Sequence, residues 1–377
     1  MQIGIIKERR LDEMRVAATP DTIKKFIAMG LQVNIERGAG ITASITDQEY
    51  EEAGANLLEN ASKVLENADI VLKVGKPIGP KDEDASKLDE VKLLKSGSIL
   101  VSLMEPYKDR DLIDLIAKQN VTCFALELIP RITRAQTMDV LSSQSNLAGY
   151  KAVIEASTAY GKAFPMMMTA AGTIPPSKVL VIGAGVAGLQ AIATSKRLGA
   201  NVEAFDVRDA AAEQVESLGA KFLKQESLGD AEDKGGYARE QTDDEKLLQK
   251  EFIKSNLTNI DALITTAAIP GKKAPIIITK DMVENMKPGS VIIDLSAESG
   301  GNVELTKPGE IINHNNVSIH GPINVPSSMA FHASQLYSRN VMGLLDLIVN
   351  ESKEIELDLE DEIIKSTCIN FSGKASD

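Results

Sequence analysis

The sequence predicts an α/β fold of two Rossmann-like domains with parallel sheets, the second carrying the GxGxxG dinucleotide fingerprint. Three observations lead there. Short apolar, β-branched runs alternate with helix-length segments along most of the chain, as in βαβ units. The stretch 178–206 reads strand, glycine turn, helix, strand and terminal acid in unbroken register. A length of 377 residues allows two domains of ordinary size, each with its own core.

Taken in order, the apolar run 3–6 is a first strand. Thr19-Pro20 starts a helix over 22–29 that Gly30 closes, and strand 33–36 follows. A helix at 47–53 leads to strand 69–74. Beyond a polar, proline-containing loop at 76–84 come helix 88–94, strand 98–103, helix 109–119 and strand 122–126. This half has no glycine fingerprint of its own, so it reads as a Rossmann-like or flavodoxin-like domain that need not bind a nucleotide. Residues 131–165 lack strand character, and their Ala, Leu and Gln content predicts a helix linking the domains.

The stretch 163–176, with Met166, Met167 and Met168, comes nearest to a membrane span. It is too short, and Pro165, Pro175 and Pro176 break it. Later strands fall at 178–182, 202–205, 261–265, 291–295 and 317–320, with a helix at 189–198 closed by Gly199. A polar insertion at 225–242 is centred on Gly235-Gly236-Tyr237. A loop of that length reads either as a solvated charged excursion or as a mobile flap over a site, and its lone tyrosine between small residues favours the flap. Helix 329–349 then crosses back to the first domain, and the tail 351–377 is acidic, then polar. The expected domains are residues 1–134 plus 326–377, and residues 135–325.

Charge and composition exclude several classes. A net charge of −13 argues against a nucleic-acid partner. The two cysteines, Cys123 and Cys368, lie far apart in no metal-ligand spacing, so free thiols in a reducing compartment and no metal site are expected. The N-terminus is already strand-like and lacks the apolar core of a signal peptide.

In the fingerprint itself, each part has a physical task. Gly183 permits the tight turn, Gly185 lets backbone approach a pyrophosphate, and Gly188 lets helix and strand pack closely. Ala184 and Val186 supply backbone at the helix start, whose N–H groups face the phosphates. Asp206 can accept bonds from the adenosine ribose hydroxyls and would repel a 2′-phosphate, which favours NAD(H). Val207 follows it. Arg208 leaves NADP(H) open, because a guanidinium two residues on can pair with that phosphate; otherwise it packs beside the adenine or pairs on the surface. Thr266, Ala267 and Ala268, just past a strand end, join the expected cofactor-binding set.

A dehydrogenase acting on an alcohol or amine must move a proton as well as a hydride, and so needs an acid–base side chain. The histidines, His314, His320 and His332, all fall late in the chain. His320 at a strand end, Lys73 at the cleft side of a parallel sheet, and Glu298 after a strand are the candidates, each with a plain structural reading beside it. Alternatively no proton passes to substrate: hydride moving between two nicotinamides needs only the rings held face to face with water excluded.

Several motifs are specific: Arg131-Ile132-Thr133-Arg134-Ala135-Gln136-Thr137-Met138-Asp139, then Leu141-Ser142-Ser143-Gln144-Ser145-Asn146-Leu147-Ala148-Gly149-Tyr150. With them go Phe164-Pro165-Met166-Met167-Met168, Gly235-Gly236-Tyr237-Ala238, Ile269-Pro270-Gly271-Lys272-Lys273-Ala274-Pro275 and Lys287-Pro288-Gly289-Ser290. Together they make nearly the whole chain resemble the NAD(H)-binding component (domain I, the alpha-1 subunit) of proton-translocating NAD(P) transhydrogenases, related to alanine dehydrogenases.

The resemblance implies that Arg131 positions the nicotinamide carboxamide and ring, with Asp139 and Ser142 as companions, and that Gln136 reaches toward the NADP(H) nucleotide. Ile132, Thr133 and Arg134 would line the same cofactor, and Gly236 and Tyr237 would sit at the tip of a mobile loop. It further implies NAD(H) on this chain and NADP(H) on a partner domain, with a membrane-spanning subunit for proton translocation. A homodimer is implied too, as is a cytoplasmic, peripheral location on the inner face of the membrane. An alanine dehydrogenase would instead use Arg15 and Lys73 for a substrate carboxylate, with Glu298 at its aspartate's place. Its histidine has no counterpart within Ser102-Leu103-Met104-Glu105. A regulatory NAD-binding module is the third reading.

Overall fold

The computed structural model describes residues 1–82, 88–225, 242–268, 271–371 and 374–375. They form two compact units, Met1–Gln144 with Pro326–Asp377, and Ser145–Val325.

In the first unit, strands β1 (Gln2–Ile5), β2 (Gln32–Glu36), β3 (Asn56–Leu58), β4 (Ile70–Leu72), β5 (Ile99–Ser102) and β6 (Thr122–Ala125) lie in the order β3-β2-β1-β4-β5-β6, all parallel. The central strands are buried on both faces, which is why they read as unbroken apolar runs. The first helix begins at Pro20, two residues earlier than expected, because proline's fixed φ suits the first turn. Gly30, at φ +79°, ends it in the left-handed region. The helix Val140–Ala159 carries the chain into the second unit.

There β7 (Met167–Thr169) and β8 (Gly172–Ile174) form an exposed antiparallel hairpin. The stretch read as the most membrane-like is therefore a small arm; among the described residues no helix is long and apolar enough to cross a membrane. The main sheet comprises β9 (Lys178–Ile182), β10 (Asn201–Phe205), β11 (Lys221–Phe222), β12 (Ala262–Thr265), β13 (Val291–Asp294), β14 (Ile311–His314) and β15 (Val317–His320), in the order β11-β10-β9-β12-β13-β15-β14. Only β14 runs antiparallel. Chain direction across the sheet reverses at β9, and the crevice beyond the carboxyl ends of β9 and β12 is where such sheets bind ligands.

The chain then returns to the first unit. Helix Ala330–Ile348 buries Tyr337, Val341, Leu344, Leu345 and Ile348 in that unit's core. The tail, read as merely acidic and polar, extends the sheet: β16 (Cys368–Phe371) pairs antiparallel with β6, and β17 (Lys374–Ala375) with β16. The buried Asn370 side chain makes this edge possible, accepting from Cys123 N–H and donating to Val121 O.

Candidate functional site: a dinucleotide turn and an anchored polar loop

The candidate residues fall into two sets, one in each unit. In the second unit the helix Val186–Arg197 starts at Gly185, directly beyond β9. Gly183 has φ +93°, and a Cβ there would stand 2.7 Å from Thr266 Oγ1. At Gly188 a Cβ would stand 1.8 Å from the Gly183 carbonyl oxygen. The space at these two glycines is filled by the protein's own atoms. Gly185 differs: among the described residues, a Cβ there would meet nothing within 4 Å. The open space lies at the N-terminus of a 12-residue helix, so the turn fits a pyrophosphate.

Neighbouring groups hold this turn. Thr266 Oγ1 donates to Gly183 O at 3.0 Å, and the Ala184 N–H donates to Asp206 Oδ2 at 2.6 Å. Asp206 also takes the Arg208 guanidinium, through Nε on Oδ1 and Nη2 on Oδ2, both at 2.9 Å. A recess beside them is lined by Phe205, Asp206, Val207, Phe222 and Leu223. Ala267 is held by Asn302, and Ala268 beyond it is exposed. Gly236 and Tyr237 lie outside the described residues.

In the first unit, Thr133–Met138 forms a 3-10 helix. Its alternation is sharp. Ala135 and Met138 are buried in the core, while Arg131, Thr133, Arg134, Gln136 and Thr137 are exposed. Helix Ala330–Ile348 is the seat: Asn340 Nδ2 donates to Thr137 O at 2.8 Å, its Oδ1 accepts from Ser143 Oγ at 2.7 Å, and a Cβ at Gly343 would meet Met138 Cγ at 3.0 Å. Asp139 caps the next helix, its carboxylate accepting from Ser142 N–H at 2.9 Å and Ser142 Oγ at 2.6 Å. Arg134 pairs with Asp361 at 2.6 Å, which holds the Asp361 carboxyl below its ordinary range. Ile132 is half-buried. The result is a polar loop whose backbone is fixed from below and whose Arg131 and Gln136 reach outward.

The acid–base candidates turn out otherwise. Lys73 is 2% exposed and clamped between Glu8 at 3.0 Å and Glu90 at 3.2 Å. Burial alone would lower its pKa, yet the two carboxylates outweigh it and raise it, so the ammonium is locked in its charged form. Its strand-end position suggested an accessible amine; the carboxylates folded over it make that wrong. Arg15 is likewise taken, through Nε and Nη2 by Glu13 at 2.8 and 2.7 Å and through Nη1 by Gln144 at 2.9 Å. Met104 is buried, its sulfur accepting from Ser102 Oγ. His320 is held between Glu155 at 2.8 Å and Ser318 at 3.0 Å, and His314 lies against Glu284. His332 is exposed beside Phe331, and Glu298 is an exposed residue of a short turn.

Three residues that shape these sets were missed. Asp294, fully buried, accepts from Thr265 Oγ1, Ser296 N, Asn302 N, Val303 N and Thr306 Oγ1. Asn302 then fixes Ala267. Asn340 does the same for the polar loop. An acid ending an apolar strand is the one signal that could have flagged Asp294; nothing local marks the two asparagines.

Known proteins resemble the chain over both units. Family models described as "Alanine dehydrogenase/PNT" match the chain at residues 4–148 (N-terminal domain) and 152–377 (C-terminal domain). The Rhodospirillum rubrum protein named as the first portion of NAD(P) transhydrogenase subunit alpha is 49% identical over 376 residues, covering 99% of this chain and 97% of that protein. The crystal structure of transhydrogenase from Sinorhizobium meliloti superposes with a TM-score of 0.90 at 43% identity, covering 100% of both chains. An L-alanine dehydrogenase structure, 24% identical, matches in fold with a TM-score of 0.81, covering 100% of this chain and 96% of that one.

Proposed function

This chain belongs to the alanine dehydrogenase/PNT family as a counterpart of the first portion of NAD(P) transhydrogenase subunit alpha, and on that premise we propose that it binds NAD(H) and exchanges hydride with NADP(H) held by a partner domain. The observation that carries the reading is the loop 131–142, rigid in backbone and polar on its outer face, with no accessible proton donor required of it.

When bound, the nicotinamide supplies the hydride chemistry. The protein's part is to bind, orient and keep water away. The fingerprint turn takes the pyrophosphate at the helix N-terminus, and Asp206 takes the adenosine ribose. Arg131 orients the carboxamide, with Asp139 and Ser142 fixing the start of the helix behind it. Gln136, exposed on a fixed backbone, reaches toward the second nucleotide. Because Asn340 and the Asp139–Ser142 pair have already ordered the loop, little conformational entropy remains to be lost when the partner docks.

Coupling to proton translocation then falls to a separate membrane-spanning subunit, and this chain is peripheral on the cytoplasmic face. A homodimer is the favoured assembly. It is supported by the exposed arm β7–β8, where Met166, Met167, Met168 and Ile174 present apolar surface to solvent. The amino-acid dehydrogenase reading is disfavoured because Arg15 and Lys73 are both taken by the protein's own groups.

The test mixes the pure chain with a transhydrogenase NADP(H)-binding domain and follows reduction of an NAD analogue by NADH in the presence of NADP(H). Turnover only in the mixture is expected. Rapid oxidation of L-alanine by the chain alone, with no turnover in the mixture, would replace this reading by the dehydrogenase one.

A further inference from the structure

An ionised carboxylate offers roughly four lone-pair positions to donors. At Asp206 four donors engage the two oxygens. Oδ1 accepts from the Arg208 N–H and Nε–H, both at 2.9 Å, and Oδ2 accepts from the Ala184 N–H at 2.6 Å and Arg208 Nη2 at 2.9 Å. A ribose diol seeking Asp206 as a two-oxygen acceptor therefore meets the Arg208 fork already spanning both oxygens. Two of the donors are backbone groups fixed by the turn after β9 and the bend after β10. The other two belong to one flexible side chain, 20% exposed, against an acid that is 7% exposed. The guanidinium is the group that can leave.

We propose that Arg208 is a specificity-setting competitor at the ribose subsite: its guanidinium caps Asp206 until the adenosine ribose displaces it, and afterwards stands beside the 2′-position. This rests on the NAD(H) reading above and deepens it. The cap has two opposed effects. It stabilises the unliganded site, which weakens NADH, and it leaves a cation near any 2′-phosphate, which softens the rejection of NADPH by Asp206.

The experiment measures calorimetric affinities of the full chain for NADH, NADPH and reduced nicotinamide mononucleotide, which lacks the adenosine half. Arg208→Met keeps the aliphatic stem and removes the fork. It should bind NADH roughly threefold to tenfold more tightly, NADPH more weakly, and the mononucleotide as wild type does. Arg208→Lys, with charge but no fork, should tighten NADH while keeping wild-type NADPH affinity. Weaker NADH binding by Arg208→Met would mean that the guanidinium holds the nucleotide directly, and would overturn the proposal alone. Equal shifts for NADH and NADPH would overturn it too. Wild-type protein that binds no NADH would overturn the functional reading and the cap with it.

Discussion

Gly149 and Ala187 meet backbone to backbone: a Cβ at Gly149 would stand 2.0 Å from the Ala187 carbonyl oxygen. Ala187 belongs to the first turn of the helix that follows the GxGxxG glycines. The helix Val140–Ala159 therefore props the glycine turn from behind, and it can do so only where it has no side chain. Gly149→Ala must push the two helices apart. We expect a loss of about 2 kcal/mol in urea unfolding, together with weaker NADH binding. Unchanged NADH affinity at reduced stability would show that the prop does not set the turn.

The fingerprint glycines should separate into two kinds. Gly185 has φ −78°, and no described residue stands within 4 Å of a Cβ there, so Gly185→Ala should fold with a melting temperature near wild type yet bind NADH at least about tenfold more weakly. Gly188→Ala forces a Cβ against the Gly183 carbonyl and should cost about 2 kcal/mol or more. Calorimetric titration beside thermal unfolding tells them apart. Normal NADH binding by the first variant would remove the phosphate site from this turn.

On the polar loop, exposed and supporting residues should also separate in behaviour. Gln136→Asn touches nothing buried, so stability should stay within about 0.5 kcal/mol of wild type. Stopped-flow hydride transfer with the NADP(H)-binding domain should slow by roughly tenfold or more, while NADH affinity barely moves. Asn340→Leu strands the Thr137 carbonyl and leaves the Ser143 hydroxyl only Val140 O to donate to, and should lower both unfolding stability, by about 1–3 kcal/mol, and the transfer rate. Equal losses of rate and affinity in Gln136→Asn would end its assigned role.

Glu127 gives a pH signature. One carboxylate oxygen accepts the Met104 and Glu105 N–H groups, and the other is buried. Burial raises its pKa from 4.5, outweighing the backbone donors. With the folded value above the unfolded one, the native state binds more protons between the two, and its stability falls as pH rises through that window. Glu127→Gln removes this term. The variant should gain on wild type in urea midpoint from pH 4.5 upward, and the gain should vanish below it. A variant that loses ground at pH 8 would reverse the sign.

Much of the fold is legible in local pattern, and the reason is burial. β4, β5, β9, β12 and β13 are covered on both faces, so each appears as an apolar run whose ends shift by only one or two residues. β3 and β11, three and two residues long, carry too little pattern to declare themselves. The methionines of β7 resemble a broken apolar segment because an exposed apolar arm and a buried helix share a composition. At the candidate site, Gly183 to Arg208 is contiguous and so visible. Asn340 and Thr137 lie 203 residues apart, and no spacing rule links them. Lys73 shows the opposite failure: its position at a strand end is plain, but the carboxylates that enclose it come from residues 8 and 90.

The second unit is an insertion in the first. Its residues, Ser145–Val325, form one continuous stretch, whereas the first unit's core waits for Tyr337, Val341 and Leu344 to fill it. On the ribosome residues 145–325 therefore complete their interior before residues 1–144 do, and the latter keep an apolar surface bare until the helix Ala330–Ile348 is made. Nascent-chain stability should rise in two steps, the later one once the helix Ala330–Ile348 has been made, and residues 1–144 are where a chaperone would be needed.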